Sequence, residues 1–171
     1  MTSMDKNQLR AQLLAVRPHS SEGLTDMLLR LVQELKPNTL ASFQPISGEP
    51  EMAEFNARAS ELSSIVYPRI MDDDLVFASG DLQPGTMGIL EPSGDPTQDI
   101  DLILVPALAV DKGGMRLGRG RGFYDRVLTK YPDVPKFAVI FESEFIDAGP
   151  ADPWDVRVDG VVTPERIVKF D

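Results

Sequence analysis

"IDLILVPALAV", residues 100–110, is the stretch that decides the fold. It is an almost continuous apolar run, which is typical of a strand covered on both faces of a parallel sheet. A glycine- and arginine-rich segment follows it directly, and a helical pattern comes after that segment. Ligands of open α/β sheets sit beyond the carboxyl ends of the strands. The stretch therefore predicts a central strand that leads into a binding segment.

The patterns on either side of this run alternate between helix and strand. Helices are predicted from a capping box at Asp5–Gln8, from the leucine spacing of residues 24–35, from Glu49-Pro50 onward, and over residues 123–131. The third helix is expected to bury Met52, Phe55, Ala59 and Leu62. Further strands are predicted at residues 39–46, 65–70, 136–141 and 156–162. Pro68 should stand at a strand end or a sheet edge. This order predicts one α/β domain over residues 1–171, with three layers around a mainly parallel sheet.

Charge is unevenly distributed in a chain whose formal net charge is −10. Residues 70–111 contain nine acids and no Lys or Arg, whereas residues 111–130 contain six basic residues and two acids. A basic island within an acidic field favours a small anion over a long polyanion, so we expect no nucleic-acid partner.

The absence of cysteine excludes a disulfide scaffold and a thiolate metal site, and agrees with a reducing compartment. The single histidine, His19, makes a Ser-His-Asp triad or a multi-histidine metal site unfavourable. No signal-peptide or membrane-spanning pattern is visible. These features predict a cytoplasmic location and no membrane partner.

The glycine track "RLGRGRGFYDR", residues 116–126, is the strongest candidate site. Its glycines allow close approach of the backbone to a ligand, and its arginines supply forked donors for phosphate oxygens. The following helix adds the positive end of its dipole. The spacing matches neither the Walker loop nor the Rossmann turn. The track predicts a polyphosphate cradle, and Asp125 just after it is placed to hold Mg²⁺.

The spacing of these residues alone is also compatible with purely structural roles. The track also fits a glycine-rich turn with solvated arginines, and Asp125 also fits a first-turn residue that favours the helix dipole. Lys6 and Arg10 lie four residues apart, so they share one helix face, which is commonly a solvated one.

Several motifs together resemble the 5-formyltetrahydrofolate cyclo-ligase family, also called 5,10-methenyltetrahydrofolate synthetase. The main match is "VPALAVDKGGMRLGRGRGFYDRVL", residues 105–128. The opening Lys6…Arg10 pair, "TLASFQPISGEPEM", "GILEP" and the closing "DVRVDGVVTPERI" resemble further parts of the family pattern, so the likeness extends over most of the chain. Two departures are Ala107, where the family usually has glycine, and Trp154, where it often has histidine.

The resemblance implies a fold similar to the NagB/RpiA/CoA-transferase-like fold and an ATP- and Mg²⁺-dependent ligase. We expect the protein to be a monomer. Such enzymes convert 5-formyltetrahydrofolate and ATP into 5,10-methenyltetrahydrofolate, ADP and phosphate. A non-catalytic folate or phosphate-ligand sensor on the same scaffold is the main alternative. A sugar-phosphate-binding protein of similar architecture is a third interpretation.

The resemblance also implies roles for individual residues. The positions matching ATP contacts are Lys6, Arg10, Arg116, Gly118, Arg119, Gly120, Arg121, Gly122 and Tyr124. Those matching catalytic groups are Arg116, Arg119 and Tyr124, and those matching folate contacts are Glu49, Phe123 and Tyr124. The metal positions are Asp125 and Asp155, with Asp159 as a substitute because a strand would place it on the same face as Asp155.

Overall fold

The computed structural model describes residues 5–85 and 88–171 of the chain. Within these ranges the helices are α1 (Lys6–Ala15), α2 (Leu24–Leu35), α3 (Ala53–Ala59) and α4 (Phe123–Leu128). The strands are β1 (Thr39–Ala41), β2 (Ser64–Met71), β3 (Asp74–Ala78), β4 (Leu82–Pro84), β5 (Leu90–Pro92), β6 (Leu102–Pro106), β7 (Ala109–Asp111), β8 (Arg116–Leu117), β9 (Lys136–Val139), β10 (Phe145–Ile146), β11 (Gly160–Val162) and β12 (Ile167–Lys169). None of these helices has the length and apolar character that crossing a bilayer requires.

A seven-stranded sheet forms the centre of the molecule, in the order β12-β11-β9-β6-β1-β2-β3. The five inner strands, β11 to β2 in this order, pair in parallel. Both edge strands pair antiparallel to their neighbours. The predicted mainly parallel sheet is therefore confirmed.

Alternate residues of the central strands pack into two different layers, as the pleat requires. Leu40, Leu102 and Leu104 face the apolar residues of α2 and α3. Ala41, Ile103 and Val105 face the opposite side, where α4 contributes its buried residues. The helices thus cover both faces of the sheet, which confirms the expected three layers. α2 buries Leu24, Leu28, Leu31 and Val32, as its spacing predicts.

The apolar run of residues 100–110 forms two strands rather than the single predicted one. β6 ends at Pro106, and β7 belongs to a separate three-stranded sheet with β8 and β10. Between them Leu108 N–H donates to the carbonyl of Leu117 at 2.8 Å. Both strands are buried, so the run is apolar throughout and contains no sign of the change of sheet.

Three other sequence predictions need adjustment. β1 stops at Ala41, so residues 42–46 are loop rather than strand. α3 begins at Ala53 rather than at Pro50, because its first hydrogen bond runs from Asn56 N–H to Met52 O. Leu62 lies beyond α3 and is 56% exposed, so its predicted burial is wrong.

β2 continues through Pro68 instead of ending near it. Only its first three residues pair with β1, and residues 67–71 pair with β3 alone. Pro68 therefore lies where one edge of β2 has no strand partner among residues 5–85 and 88–171, which a residue without an N–H tolerates.

The sheet reverses its winding direction between β1 and β6. From β1 the chain adds β2 on one side, whereas β6, β9 and β11 follow on the other side. Crevices form at the carboxyl ends of two strands that diverge in this way, and ligands of α/β proteins bind there. The loops after β1 and β6 are therefore the ones that the fold places around a site.

Candidate functional site

A cavity of about 750 Å³ opens at this switch point. Pro106, Ala107 and Leu108, which follow β6, line its floor. One side, here called the ionic wall, comprises the cavity-lining residues of α1, the glycine loop and the 150–155 turn: Asp5, Lys6, Asn7, Arg10, Gly118, Arg119, Gly120, Arg121, Gly122, Pro150, Asp152, Trp154 and Asp155. The other side, the apolar wall, comprises Phe43, Gln44, Ile46, Glu49, Pro68, Ile70, Leu75, Ile89 and Glu91. Arg116, Phe123, Tyr124 and Asp125 line the cavity between them.

Helix α1 packs beside the glycine loop although more than a hundred residues separate them in sequence. The predicted capping box is present: Gln8 N–H donates to Asp5, and the Gln8 side chain accepts from Asp5 N–H. One turn further on, Arg10 Nε donates to the carbonyl of Gly118 at 2.8 Å. Arg10 therefore lies at the loop rather than on a solvated helix face, as its family position implies.

The glycine loop has a backbone that requires glycine at two of its positions. Gly120 has a φ of 109° and Gly122 a φ of 74°, both in the left-handed region. A Cβ on Gly120 would lie 3.4 Å from the Arg10 guanidinium carbon. The positive φ would strain a larger residue at Gly120, whereas its Cβ would make only ordinary van der Waals contact with Arg10.

Lys6 forms ion pairs with two acids of the 150–155 turn. Its Nζ lies 2.5 Å from Asp152 and 2.7 Å from Asp155. Burial lowers the pKa of Lys6, but hydrogen bonds and charge from the two carboxylates outweigh it, so the pKa lies above its ordinary value. Lys6 thus remains charged, and it joins α1 to the segment that carries the predicted metal position Asp155.

The two predicted metal positions line the same cavity. The Asp125 carboxylate accepts the N–H of Val156 at 3.3 Å, which brings it beside Asp155 in the chain. Asp155 is in a turn and not in a strand, so the expectation that Asp159 shares its face is wrong. Asp159 instead accepts the N–H of Lys136 at 2.9 Å and lies outside the cavity lining. Among the described residues no three acids or histidines cluster as a complete metal cage.

Arg116 is buried beneath the loop rather than extended into it. Its Nε donates to Pro106 O at 2.8 Å, and its guanidinium lies 5.3 Å from the centre of the Tyr124 ring. Nη1 is 3.9 Å from Asp125. Burial lowers the pKa of Arg116, and the nearby Asp125 charge opposes that shift. Arg116 therefore supplies fixed positive charge at the floor of the site and helps to orient Asp125.

Tyr124 is the buried aromatic of this group. It is 9% exposed, and its hydroxyl has no hydrogen-bond partner among the described residues. Burial raises its pKa well above the ordinary value, although the Arg116 charge opposes this. The phenol is therefore a neutral donor at physiological pH, with a hydroxyl that a bound oxygen atom can satisfy.

Glu49 sits on the apolar wall with only 8% of its side chain exposed. Its carboxylate accepts Ile46 N–H at 2.7 Å and lies 4.0 Å from Arg119 Nε. Burial raises its pKa, while the Ile46 N–H and the Arg119 charge act in the opposite direction. Arg119, about one-third exposed, spans from the glycine loop to the Ser47 carbonyl at 3.4 Å and so connects the two walls.

Arg121 is exposed in the glycine loop, and Phe123 is half-buried. Both side chains line the cavity. All site residues proposed from the sequence, except the substitute Asp159, thus line one cavity. The structure therefore brings these residues together, and the role of each one stays a prediction.

Sequence reasoning missed three charged groups near the site. Asp152 shares Lys6 with Asp155, and Glu91 is buried in the apolar wall, where it accepts Ile70 N–H at 2.8 Å. Arg17 pairs with buried Glu144 at 2.9 Å and donates to Ala107 O, so it holds the end of α1 against the floor. Glu91 lies within the quoted "GILEP" motif, whereas Asp152 and Arg17 carry no local signal.

Comparisons with known proteins agree on one family. The model of the 5-formyltetrahydrofolate cyclo-ligase family matches residues 2–164. The 5-formyltetrahydrofolate cyclo-ligase of Mycolicibacterium smegmatis is 34% identical over 97% of this chain and 97% of its own. The corresponding protein of Mycoplasma pneumoniae is 30% identical over 95% of this chain and all of its own.

Solved structures similar to this chain include members of the same family. The 5,10-methenyltetrahydrofolate synthetase of Aquifex aeolicus superposes with a TM-score of 0.83 at 28% identity, covering 97% of this chain and 93% of the other. That of Mycoplasma pneumoniae has a TM-score of 0.76 at 28% identity, covering 95% of this chain and 100% of the other.

Proposed function

Because this chain belongs to the 5-formyltetrahydrofolate cyclo-ligase family, we propose that it converts 5-formyltetrahydrofolate and ATP into 5,10-methenyltetrahydrofolate, ADP and phosphate. The observation that carries the proposal is that one cavity is lined by both the ionic wall and the apolar wall. Two such different surfaces suit two different reactants, a polyphosphate and a flat heteroaromatic, held next to each other.

The reaction needs activation of the formyl carbon of the folate, which is a poor electrophile. The formyl oxygen of the folate attacks the γ-phosphorus, and the bond from that phosphorus to the β-phosphate bridging oxygen breaks to release ADP. Nitrogen N10 then bonds to the activated formyl carbon and loses its proton, and the carbon–oxygen bond breaks to release phosphate. For such a transfer a protein mainly supplies positioning and charge stabilisation. This demand fits the cavity, whose lining includes no histidine or cysteine among the described residues.

The ionic wall provides the groups that bind and orient phosphates. Arg10 and Arg119 supply guanidinium donors at the glycine loop, and the loop approaches a ligand closely because Gly120 and Gly122 lack side chains. Lys6 adds a charged ammonium whose present partners are carboxylates. We propose that ATP phosphates bind here and take over part of the charge pairing that the acids now provide.

Asp125 and Asp155 suit a magnesium ion. Mg²⁺ in phosphate-transfer sites is commonly held by one or two carboxylates, with the remaining positions filled by water and substrate phosphates. Two acids lining a phosphate-binding cavity fit that pattern, and a third protein acid is not needed. When bound, the ion would neutralise phosphate charge.

The apolar wall suits the folate. Its apolar side chains offer flat contacts to the pterin ring, and the buried carboxyl of Glu49 offers an acceptor to ring or amino N–H groups. Tyr124 lines the cavity between the walls, and its hydroxyl, which has no partner in the described part of the chain, can donate to an oxygen atom of either reactant. Arg116 beneath it adds positive charge where negative charge develops during transfer.

The test is an assay of coupling between the two reactants. The protein is incubated with MgATP, with and without 5-formyltetrahydrofolate, and both ADP and the near-ultraviolet absorbance of the methenyl product are followed. ADP release should require the folate and match product formation one to one. ATP hydrolysis at the same rate without the folate would contradict the proposal. Binding of both ligands with no product would favour a sensor.

A further inference from the structure

Trp154 is an exposed aromatic side chain at the rim of the cavity. It is 68% exposed, and it is the only exposed large apolar side chain in the described part of the chain that also lines the cavity. It belongs to none of the four apolar clusters found in residues 5–85 and 88–171. The Trp154 side chain therefore contributes nothing to the packing of the core.

The turn that carries Trp154 is fixed at both ends. Asp155 N–H donates to Asp152 O at 3.0 Å, and Asp152 N–H donates back to the Asp155 carboxylate at 2.8 Å. Lys6 pairs with both acids. The turn that carries the indole is thus held within the ionic wall by the same lysine that belongs to the proposed phosphate site.

The surroundings of Trp154 select the kind of ligand. The α1 residues of the ionic wall are charged or polar, and Trp154 is the only aromatic side chain among the described residues that form this wall. A nucleotide has a matching arrangement, a charged chain joined to a flat base with an open π-face. The folate has a fuller apolar surface available on the other wall, where Phe43, Ile70 and Leu75 lie.

We propose that Trp154 stacks on the adenine base of the ATP whose phosphates bind at Lys6, Arg10 and the glycine loop. This inference rests on the proposed use of ATP and adds the residue that holds its base. Base–aromatic stacking needs no edge-specific hydrogen bonds, so this single side chain suffices for base contact.

The protein reports on this contact directly, because Trp154 is its only tryptophan. MgATP should quench the tryptophan emission of the wild-type protein in a saturable way. Magnesium tripolyphosphate, which has the phosphates and no base, should displace MgATP while leaving the emission nearly unchanged. An equal change with both ligands would overturn the stacking, since the response would then follow the phosphates alone.

Kinetics of Trp154→Ala and Trp154→Phe supply a second readout. The alanine variant should raise the KM for ATP about 5- to 100-fold, with little change in kcat or in the KM for the folate. Phe should restore most of the ATP affinity because it retains a π-face. Leu62→Ala, which removes an exposed apolar side chain outside the cavity, is the matched control. A raised KM for the folate alone would overturn the proposal and assign the indole to the folate.

Failure of this inference is distinguishable from failure of the proposed function. MgATP binding to the wild-type and Trp154→Ala proteins is measured calorimetrically without folate, so it needs no turnover. Weaker binding to the alanine variant supports stacking even if no methenyl product ever forms. Normal cyclisation with unchanged MgATP binding to Trp154→Ala leaves the activity intact and overturns the stacking.

Discussion

The two walls of the cavity are built in opposite ways. The ionic wall is assembled from three distant segments, and hydrogen bonds and ion pairs such as Arg10 to Gly118 and Lys6 to Asp155 join them. The apolar wall comes largely from the β2–β3 hairpin, which belongs to the main sheet, and from the loop after β1. The first wall can exchange partners with a charged ligand, whereas the second offers a shape that is already formed.

This contrast explains how one fold accommodates two reactants. The Lys6–Asp155 pair is largely buried, so loss of one partner would leave an unpaired charge at considerable cost, whereas a ligand phosphate or metal can take the place of the lost partner. Burial of apolar side chains contributes to stability and leaves no polar group to exchange. We therefore expect substitutions in the ionic wall to affect ATP and metal, and substitutions in the apolar wall to affect the folate.

The largest effect is expected at Asp125. Asp125→Asn keeps the shape and removes the charge, so turnover should fall on the order of 100-fold and the response to added Mg²⁺ should weaken. Asp125 is a cleaner test than Asp155, because Asp155 also pairs with Lys6. The measurement is initial rate against Mg²⁺ concentration. Asp159→Asn, outside the cavity, is the control, and a loss of activity there with normal activity in Asp125→Asn would place the metal elsewhere.

The next effect concerns selectivity for ATP. Arg10→Ala removes a charged donor from the glycine loop, so the KM for ATP should rise roughly 10- to 100-fold while the KM for the folate changes little. The matched control is Arg30→Ala, the same change at an exposed position of α2. If both Michaelis constants rose equally in Arg10→Ala, the ionic wall would not be specific to the nucleotide.

The apolar wall should give the opposite selectivity. Glu49→Gln removes the charge of a carboxyl that faces the proposed folate position, so the KM for 5-formyltetrahydrofolate should rise about tenfold with little effect on that for ATP. Glu54→Gln, at an exposed residue of α3, serves as the control. An unchanged KM for the folate would remove Glu49 from the substrate contacts.

Sequence reasoning succeeded where a feature is local or strongly periodic. The leucine spacing of α2 and the glycine spacing of residues 118–122 each carry their own signal, because one buried face or one backbone conformation determines the residue type. The resemblance to the family added the long-range grouping of Lys6, Arg10 and Glu49 with that loop. Lys6, Arg10, Glu49 and residues 118–122 all line the cavity.

Features that depend on contacts between distant segments were not predictable from the sequence. The pairing of Lys6 with Asp155 joins residues 149 positions apart, and neither residue indicates its partner. The division of residues 100–110 between two sheets was hidden because both resulting strands are buried. The pattern of residues 156–162 predicts a strand because Val156 and Val158 alternate with polar residues, whereas β11 begins only at Gly160.

The smallest expected effect is a pH dependence of stability that belongs to Glu49. Burial raises the pKa of this carboxyl above its ordinary value of 4.5, so between 4.5 and the folded-state pKa the folded protein binds more protons than the unfolded chain. The free energy of unfolding therefore decreases as pH rises through this window, and it is highest where the carboxyl is protonated in both states. Other groups titrate in the same range, so the useful quantity is the difference between the wild-type protein and Glu49→Gln. Urea unfolding of both proteins in steps from pH 4 to neutrality should show the wild type losing stability relative to the variant as pH rises. A difference that stays flat, or that changes in favour of the wild type, would mean that Arg119 and the Ile46 N–H outweigh burial, and that the apolar wall holds this carboxylate charged at no cost.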